Sequence, residues 1–527
     1  MHKLICKNIV FCLVWVMGIA ITQAQHTFSK TYHLEVGNDN RARTLFLDAG
    51  GFIVATTHDG EMEVLSALTR FDYNGNIAHQ NSYSDFVINE SRSIVQAEDG
   101  FELSGYKWSK DENSARGLQL VKVNDELDFI EQDLLFYQEE RSTNRPGIVD
   151  FNDSLKAVYC SFVKNTSGID GGAYVGLLNK EKDNILSEVI FRGSPDYKYI
   201  QYDVFDLQKT IDGNMLFIAE TRPSGQNTTG SGSEFEIVKF NWEGEILNRI
   251  VAPRSVNRNR SIAQDDEGAV YFYNFLTPFF IDSTVTFPDS GGGLVKLNER
   301  LDSVLWSFQI FEKDGIDPDR GHTILGIKQT KDKHLLAFGG VGFNVNGDNE
   351  SVGFICKFTK EGEILWVREY GIPIPEQYLE ESLVGVLASG RIEDCKELED
   401  GRLLCMGESA YAKPEISFYR ELWLLMLDEN GCLAPDCEAT NILSSTSTAV
   451  SLQAGTIYPN PVSEILHVTD VSYDQYKIHD LMGRLVQQGE FTTEIALSDQ
   501  LSSGMFVLQL KKDGRLISVL KFMRSVE

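Results

Sequence analysis

The chain has 527 residues, of which 77 are acidic and 48 are lysine or arginine, so its formal net charge is −29. This length allows more than one domain and a large buried core. So acidic a chain repels a polymer of phosphates, which excludes nucleic acid as an expected partner, and the charge fits solubility outside the cell.

The N-terminus is typical of an export signal. Lys3 and Lys7 form a short basic region, an apolar run covers residues 9–21, and small residues follow. This pattern predicts a signal peptide over residues 1–24. A membrane anchor is the alternative, but about 13 apolar residues fall short of the roughly 20 that span a bilayer. No later stretch is apolar enough, so we expect no transmembrane segment.

Residues 25–437 contain one pattern seven times. The first half of each copy is a short apolar strand, a polar turn and a second apolar strand. The alternation of apolar and polar residues around such a turn predicts a β-hairpin. The seven turns lie at Gly50-Gly51, Asp99-Gly100, Asn152-Asp153, Asp212-Gly213, Glu267-Gly268, Lys331-Asp332 and Asp400-Gly401.

The second half of each copy is an apolar-Lys-apolar strand, then Asn or Asp, then a turn and a fourth strand. Clear copies lie at Val121–Asn124, Val238–Asn241, Val295–Asn298 and Cys356–Thr359, and looser ones at Leu68–Asp72, Gly176–Asn179 and Leu424–Asp428. Four strands per copy, with copies roughly 50 to 70 residues apart, are typical of propeller blades. We therefore predict an all-β chain with a seven-bladed β-propeller.

The two ends of the repeat array complement each other. The last copy stops near Cys432 without a fourth strand, whereas Phe28–Leu34 is a strand-like segment without a partner. If this segment completes the last blade, the ring closes and both edges are paired. The repeats, with Phe287–Leu297 as the nearest copy, resemble those of β-propeller proteins secreted or displayed by Bacteroidetes. The resemblance implies a fold and leaves the activity open.

The C-terminal region differs in composition from the repeats. Serines and threonines predict a linker over residues 438–454, and alternating strands predict a small antiparallel β-sandwich over residues 455–527. The order of its landmarks resembles the type A C-terminal sorting domain of type IX secretion substrates. That resemblance implies the type IX machinery as a partner, and a protein that is secreted or attached to the outer-membrane surface. The landmarks are Tyr458, Pro459, Asn460, Pro461, Gly483, Gly504, Lys521 and Phe522.

Four cysteines are candidates for disulfides in an exported protein. Cys432 and Cys437 flank a Pro-containing turn, and Cys395 and Cys405 flank the last predicted hairpin. A zinc site built from these four is the alternative, but no histidine lies at ligand spacing.

The sequence contains no HExxH motif, nucleophile elbow or phosphate-binding loop, so the catalytic residues are unknown and no cofactor is predicted. Two acidic stretches leave an ion site as an alternative to a solvated loop. The second resembles a calcium loop only loosely, since its spacing departs from the EF-hand, and Ca²⁺ there is a hypothesis. The two stretches are Asp314, Asp317, Asp319, Arg320 and His322, and Asn344, Asn346, Asp348 and Glu350.

The long segments are expected on one face of the propeller, because they join second to third strands or one blade to the next. They are residues 107–117, 162–172, 222–234, 274–292, 341–352, 370–390 and 408–420. Insertions gathered on one face predict a recognition surface, and exposed aromatic rings stack on sugars or anchor a protein. For any single ring, packing onto the blades is the alternative. The candidate rings are Trp108, Tyr137, Tyr197, Tyr199, Tyr370, Tyr378, Tyr411 and Tyr419.

Three functions fit these patterns. The first is a non-catalytic binding or adhesion protein for an extracellular glycan or protein. The second is a secreted polysaccharide hydrolase or lyase that uses carboxylates near the channel mouth. The third is a structural surface protein. Because no catalytic pair is recognisable, the patterns favour binding.

Overall fold

In the computed structural model of the chain, the regular secondary structure of the described residues is β-strand. These residues are 27–32, 34, 40–59, 64–84, 86–88, 92–109, 114–136, 141–164, 171–181, 184–191, 199–223, 234–253, 261–274, 293–308, 310, 322–345, 348–373, 387–413, 416–433, 456–459, 461–469, 473–480, 485–490, 493–498, 501, 503–512 and 515–525. Within this part, no helix is long and apolar enough to cross a membrane. The predicted signal peptide and linker lie outside the described residues.

Among the described residues, thirty strands belong to the propeller, whose compact unit spans Phe28–Met426. The first is β1 (Phe28–Tyr32). Blades 1 and 2 consist of β2 (Asn40–Asp48), β3 (Gly51–Asp59), β4 (Val64–Phe71), β5 (Ile77–Tyr83), β6 (Phe86–Val87), β7 (Ile94–Ala97), β8 (Gly100–Ser109), β9 (Ser114–Val123) and β10 (Phe129–Phe136). Blades 3 and 4 consist of β11 (Arg141–Asp150), β12 (Leu155–Lys164), β13 (Gly172–Asn179), β14 (Ile185–Phe191), β15 (Tyr199–Lys209), β16 (Met215–Pro223), β17 (Glu234–Phe240) and β18 (Ile246–Pro253).

The remaining propeller strands form blades 5 to 7. They are β19 (Ile262–Gln264), β20 (Val270–Asn274), β21 (Gly293–Leu297), β22 (Val304–Phe308), β23 (His322–Gln329), β24 (Leu335–Val345), β25 (Asp348–Phe358), β26 (Ile364–Tyr370), β27 (Ile372–Pro373), β28 (Leu387–Glu397), β29 (Leu403–Lys413) and β30 (Ile416–Leu427). All described pairings within the blades are antiparallel, as hairpin-connected strands require.

One strand of each blade lines the propeller axis. We call β2, β7, β11, β15, β19, β23 and β28 the inner strands. Each contacts the inner strands of both neighbouring blades, and β28 contacts β2, so the seven inner strands close into a ring. This closure confirms the predicted seven-bladed propeller.

The N-terminal strand closes the ring. β1 pairs with β30, from Phe28 opposite Met426 to Tyr32 opposite Leu422, and so supplies the fourth strand of blade 7. The buried Trp423 on β30 donates a hydrogen bond from its indole nitrogen to the Ser29 hydroxyl, 3.1 Å away. The predicted completion of the last blade by the N-terminal segment is thereby confirmed.

The basic residue of the apolar-Lys-apolar strand braces its own blade. In blade 4, the Lys239 ammonium lies 2.7 Å from a carboxylate oxygen of Asp212, in the turn after the inner strand. The equivalent distances are 3.1 Å for Arg70 and Asp48, 3.8 Å for Lys296 and Asp265, and 2.6 Å for Lys357 and Asp332. These lysines therefore have a structural role.

The Asn or Asp that follows this strand caps the next turn. In blade 4, the Asn241 side-chain oxygen accepts a hydrogen bond from the Glu245 backbone N–H at 2.8 Å. Such a cap replaces a missing backbone partner and favours the turn. The same side-chain cap occurs in the other six blades at Asp72, Asn124, Asn179, Asn298, Thr359 and Asp428.

Three of the segments expected to be loops are extensions of the second and third strands. Strands β8 and β9 pair as far as Ser109 opposite Ser114, and β24 and β25 as far as Val345 opposite Asp348. Strands β29 and β30 extend to Lys413 and from Ile416. The loop expectation is therefore corrected over most of residues 107–117, 341–352 and 408–420, because their alternating pattern continues the neighbouring strands.

The C-terminal region contains two small antiparallel sheets, as predicted. Their buried side chains, including Leu466 and Ile495 from one sheet and Leu508 and Phe522 from the other, form one apolar core. One sheet has the order β31-β32-β35 and the other β34-β33-β36-β37. The strands are β31 (Thr456–Tyr458), β32 (Ile465–Thr469), β33 (Gln475–Asp480), β34 (Leu485–Glu490), β35 (Glu494–Ala496), β36 (Gly504–Lys512) and β37 (Arg515–Arg524).

Candidate functional site

A β-bulge recurs in the inner strands. The pairing of the inner with the second strand shifts between Ala42 and Thr44, Asn144 and Gly147, Val204 and Asp206, Ile324 and Gly326, and Ile392 and Asp394. A bulge adds a residue to one strand and redirects its side chains. These five bulges therefore place a set of polar and apolar side chains around the axis.

Five charged side chains from four blades meet at the axis, and we call them the axial cluster. It comprises Arg92, Asp206, Lys328, Asp394 and Lys396. The Arg92 guanidinium of blade 2 lies 2.6 Å from the Asp206 carboxylate of blade 4, a contact between blades that are not neighbours. Lys328 of blade 6 is ion-paired with Asp394 of blade 7. The cluster thus spans the channel.

Both carboxylates of the axial cluster are 2% exposed and held by cations. Burial raises the pKa of Asp206 above its ordinary value, although Arg92 and the Ile262 backbone N–H act against this. Burial also acts on Asp394, but the ammonium groups of Lys328 and Lys396 outweigh it and hold the pKa of Asp394 low. Asp206 is therefore ion-paired with Arg92, and Asp394 with Lys328.

Lys396 has a different environment from the other two cations. It follows Asp394 by two residues on β28, so both side chains lie on the same side of this strand. The ammonium of Lys328 is close enough to act on Lys396 electrostatically. This like charge, together with burial, lowers the pKa of Lys396 from 10.5 to about 8.

A second charged group, the Arg391 cluster, lies at blade 7. The Arg391 guanidinium lies 2.5 Å from Glu393, the bulge residue of β28, and 2.9 Å from Glu408 on β29. Arg420 lies 3.8 Å from Glu408, and Arg43 also acts electrostatically on this carboxylate. Burial raises the pKa of Glu408 even so, and Glu408 is 3% exposed.

The predicted aromatic surface is described only in part. Tyr137, Tyr197 and Tyr378 lie outside the described residues. Trp108 lies on β8, Tyr199 on β15, Tyr411 on β29 and Tyr419 on β30. The prediction that Tyr370 belongs to the exposed surface is corrected. This residue ends β26 opposite Gly353 and is only 6% exposed, so its ring is buried in the propeller.

Two cysteine predictions can be compared with the structure. Cys395 and Cys405 lie directly opposite each other on β28 and β29, but both are free thiols, which corrects the predicted disulfide. Burial raises the pKa of the Cys405 thiol, and a disulfide forms through the thiolate. Cys432 is disulfide-bonded, while its predicted partner Cys437 lies outside the described residues.

The side chains of the two acidic stretches lie outside the part of the chain that the structure describes, so the ion site stays a hypothesis. Asp314, Asp317, Asp319, Arg320 and Asn346 lie wholly outside that part, and His322 is the first residue of β23. Asn344 pairs with Asn349 within the β24–β25 hairpin, which also contains Asp348 and Glu350. Among described residues, no group of three or more His, Cys, Asp or Glu is placed to hold a metal ion.

The landmarks of the C-terminal region lie in its two sheets. Tyr458 is 51% exposed and its ring stacks on that of His467, with centroids 5.1 Å apart. Pro459 follows it through a cis peptide bond, and Pro461 is exposed. Phe522 is buried against Phe506. Gly504 begins β36 and Lys521 lies on β37, whereas Asn460 and Gly483 are outside the described residues.

Sequence reasoning missed both charged clusters. The sequence predictions concerned long loops and local motifs, whereas most cluster residues lie on inner strands, with Arg92 just before β7, Glu408 on β29 and Arg420 on β30. One signal was available: aligned on their turns, the repeats place Ser93, Asp206, Ser261 and Asp394 at one position, seven residues before the glycine of the turn. Polar residues there interrupt an apolar strand.

The C-terminal region matches a known family. A secretion system C-terminal sorting domain is recognised over residues 456–523. The protein is therefore exported and either secreted or attached to the cell surface, it interacts with the secretion machinery, and its tail places it among Bacteroidetes proteins. The propeller is the scaffold that this tail exports.

Similarities to solved structures concern the fold alone. The β-propeller domain of the Trilobed protease from Pyrococcus furiosus shares 8% identity over 73% of this chain and 93% of its own, with a TM-score of 0.40. A protein of unknown function from Dyadobacter fermentans shares 10% sequence identity over 76% of this chain and 99% of its own, also with a TM-score of 0.40. The WD40 domain of SCAP from fission yeast shares 9% sequence identity over 78% of this chain and 89% of its own, with a TM-score of 0.34. No curated protein sequence matches the chain.

Proposed function

We propose that the propeller is a non-catalytic binding module that engages an extracellular glycan or protein after export. The observation that carries this proposal is the state of the carboxylates around the axis. Asp206, Asp394 and Glu408 are each at most 3% exposed, and each is held by Arg or Lys. A ligand that enters the channel meets the cations more readily than these acids.

A polysaccharide hydrolase or lyase requires a different arrangement. Glycoside hydrolysis ordinarily uses two carboxyl groups that flank the scissile bond, one of which donates a proton. Burial raises the pKa of Asp206 and of Glu408, as a proton donor requires, but neither carboxyl group reaches solvent. The burial of these groups supports binding over turnover.

The test uses the protein purified from the culture medium or cell surface. It is applied to an array of extracellular glycans and surface proteins, and every hit is then incubated with the protein and analysed by mass spectrometry. Another exported protein with the same kind of tail controls for binding by the sorting domain. We expect retention without cleavage. Release of shorter products would replace this proposal with the hydrolase or lyase, and an array without hits would favour the structural surface protein.

A further inference from the structure

The described axis carries a local excess of positive charge in an acidic protein. The axial cluster contains three cations and two carboxylates. The Arg391 cluster of blade 7 is a separate cationic group, with Arg43, Arg391 and Arg420 near Glu393 and Glu408. The chain as a whole has a net charge of −29. Because low-dielectric walls strengthen the field in a channel, this local excess attracts negatively charged solutes toward the axis.

The excess charge is concentrated at two adjacent lysines. Lys328 acts electrostatically on Lys396, and Asp394, the carboxylate two residues before Lys396, is already ion-paired with Lys328. Two neighbouring ammonium groups repel each other, and burial adds to the cost of keeping both charged. A further negative group between them would offset this repulsion.

The cations of the axial cluster are accessible to solvent. Although they lie at the centre of the ring, the side chains of Arg92 and Lys328 are 30% and 28% exposed, and Lys396 is half-buried. Asp206 and Asp394 are 2% exposed. The cluster therefore presents its cations to the channel and buries its carboxylates behind them.

We infer that the axial cluster is an oxyanion site, which binds a carboxylate or sulfate group of the ligand against Lys396, Lys328 and Arg92. This inference rests on the proposed binding function and names the ligand chemistry. A purely structural role needs only matched charges, as in the Lys239 and Asp212 pair of blade 4. Lys396 is a cation beyond such a match, and an anionic ligand supplies its missing partner. The group belongs to an acidic sugar or to a free inorganic anion.

The test measures binding to the purified exported protein by titration calorimetry at low salt. The probes are inorganic sulfate, glucuronate, a sulfated or uronate-containing oligosaccharide, and its neutral counterpart. Because a hydrogen bond to a charged group contributes roughly 1.5 to 3 kcal/mol, K396M is expected to weaken anion binding about 10- to 100-fold. K396R restores most of the affinity, and K333M, at an exposed turn, leaves it unchanged.

The outcomes separate this inference from the proposed function. Binding of the acidic oligosaccharide with loss in K396M supports both, and binding of free sulfate alone identifies an inorganic anion as the occupant. Binding of only neutral glycans, or acidic binding that K396M leaves intact, overturns the oxyanion site while the binding function stands. Absence of any ligand overturns both. Far-UV circular dichroism of each variant establishes that it is folded.

Discussion

Replacing Lys396 by Met is expected to stabilise the propeller. Met keeps the apolar stem and removes the ammonium that faces Lys328 on β23, Asp394 on β28 and Arg92 of blade 2. The folded protein lowers the pKa of Lys396 to about 8, so the unfolded chain holds this proton more tightly than the folded chain does. The resulting penalty is fully present below about pH 8 and is lost as the pH rises toward the ordinary lysine value.

The size of the effect follows from the pKa change. The change from 10.5 to about 8 corresponds to about 3 kcal/mol near pH 7, which solvent screening of a half-buried group reduces to between about 1 and 3 kcal/mol. Urea unfolding followed by tryptophan fluorescence measures the gain in K396M. The gain should fall to less than about half near pH 9.5, because the folded protein has by then lost this proton and the cost of releasing it decreases as the pH approaches 10.5. A K396M protein that is less stable at pH 7, or a gain independent of pH, would refute this reasoning, and K333M should change stability by less than about 0.5 kcal/mol.

Three further predictions concern the blades. Burial acts against the Asp212 carboxylate, but hydrogen bonds from Lys239, Thr210 and Asn214 together lower its pKa to about 2, so this carboxylate stabilises the fold above its ordinary pKa, and the contribution is lost as the pH falls toward 2. The difference in urea midpoint between wild type and D212N should therefore narrow on acidification, and a constant difference would contradict the brace. K333G should stabilise the propeller by roughly 0.5 to 1 kcal/mol in the same assay, because Lys333 has a φ of +66°, a strained angle for a residue with a Cβ atom, where the equivalent Gly213 has +81°. An unchanged urea midpoint would contradict backbone strain at Lys333. Maleimide labelling after denaturation without reduction, followed by peptide mass mapping, should modify all four of the described free thiols, and loss of label at two of them would indicate a disulfide; the thiols are Cys160, Cys356, Cys395 and Cys405.

The blade number and the ring closure could be predicted because their signals are local and repeated. Each hairpin turn and each Asn or Asp cap acts within a few residues, as Asn241 and Glu245 show. Seven copies of such a signal predict seven blades even where one copy is weak. The missing fourth strand of the last copy then predicted the pairing of β1 with β30.

The charged clusters could not be predicted in the same way. Arg92 and Asp206 are separated by more than a hundred residues and belong to blades that are not neighbours. Their meeting depends on the radius of the closed ring and on bulges such as that between Val204 and Asp206, which shift the register without a sequence signature. The buried position of Tyr370 escaped prediction for a similar reason, since a ring at a strand end packs or projects according to its neighbouring blade.

The repeats themselves separate structural from functional positions. Where the copies agree, the residue stabilises a blade: the brace of Lys239 and Asp212 has equivalents in other blades, and a side-chain cap occurs in all seven. Where the copies differ, that shared structural need is absent. The inner-strand bulges carry Arg43 in one blade and Glu393 in another, and Lys396 takes a position that Ala263 occupies in blade 5. A half-buried lysine that opposes folding is therefore better explained by a ligand than by the fold.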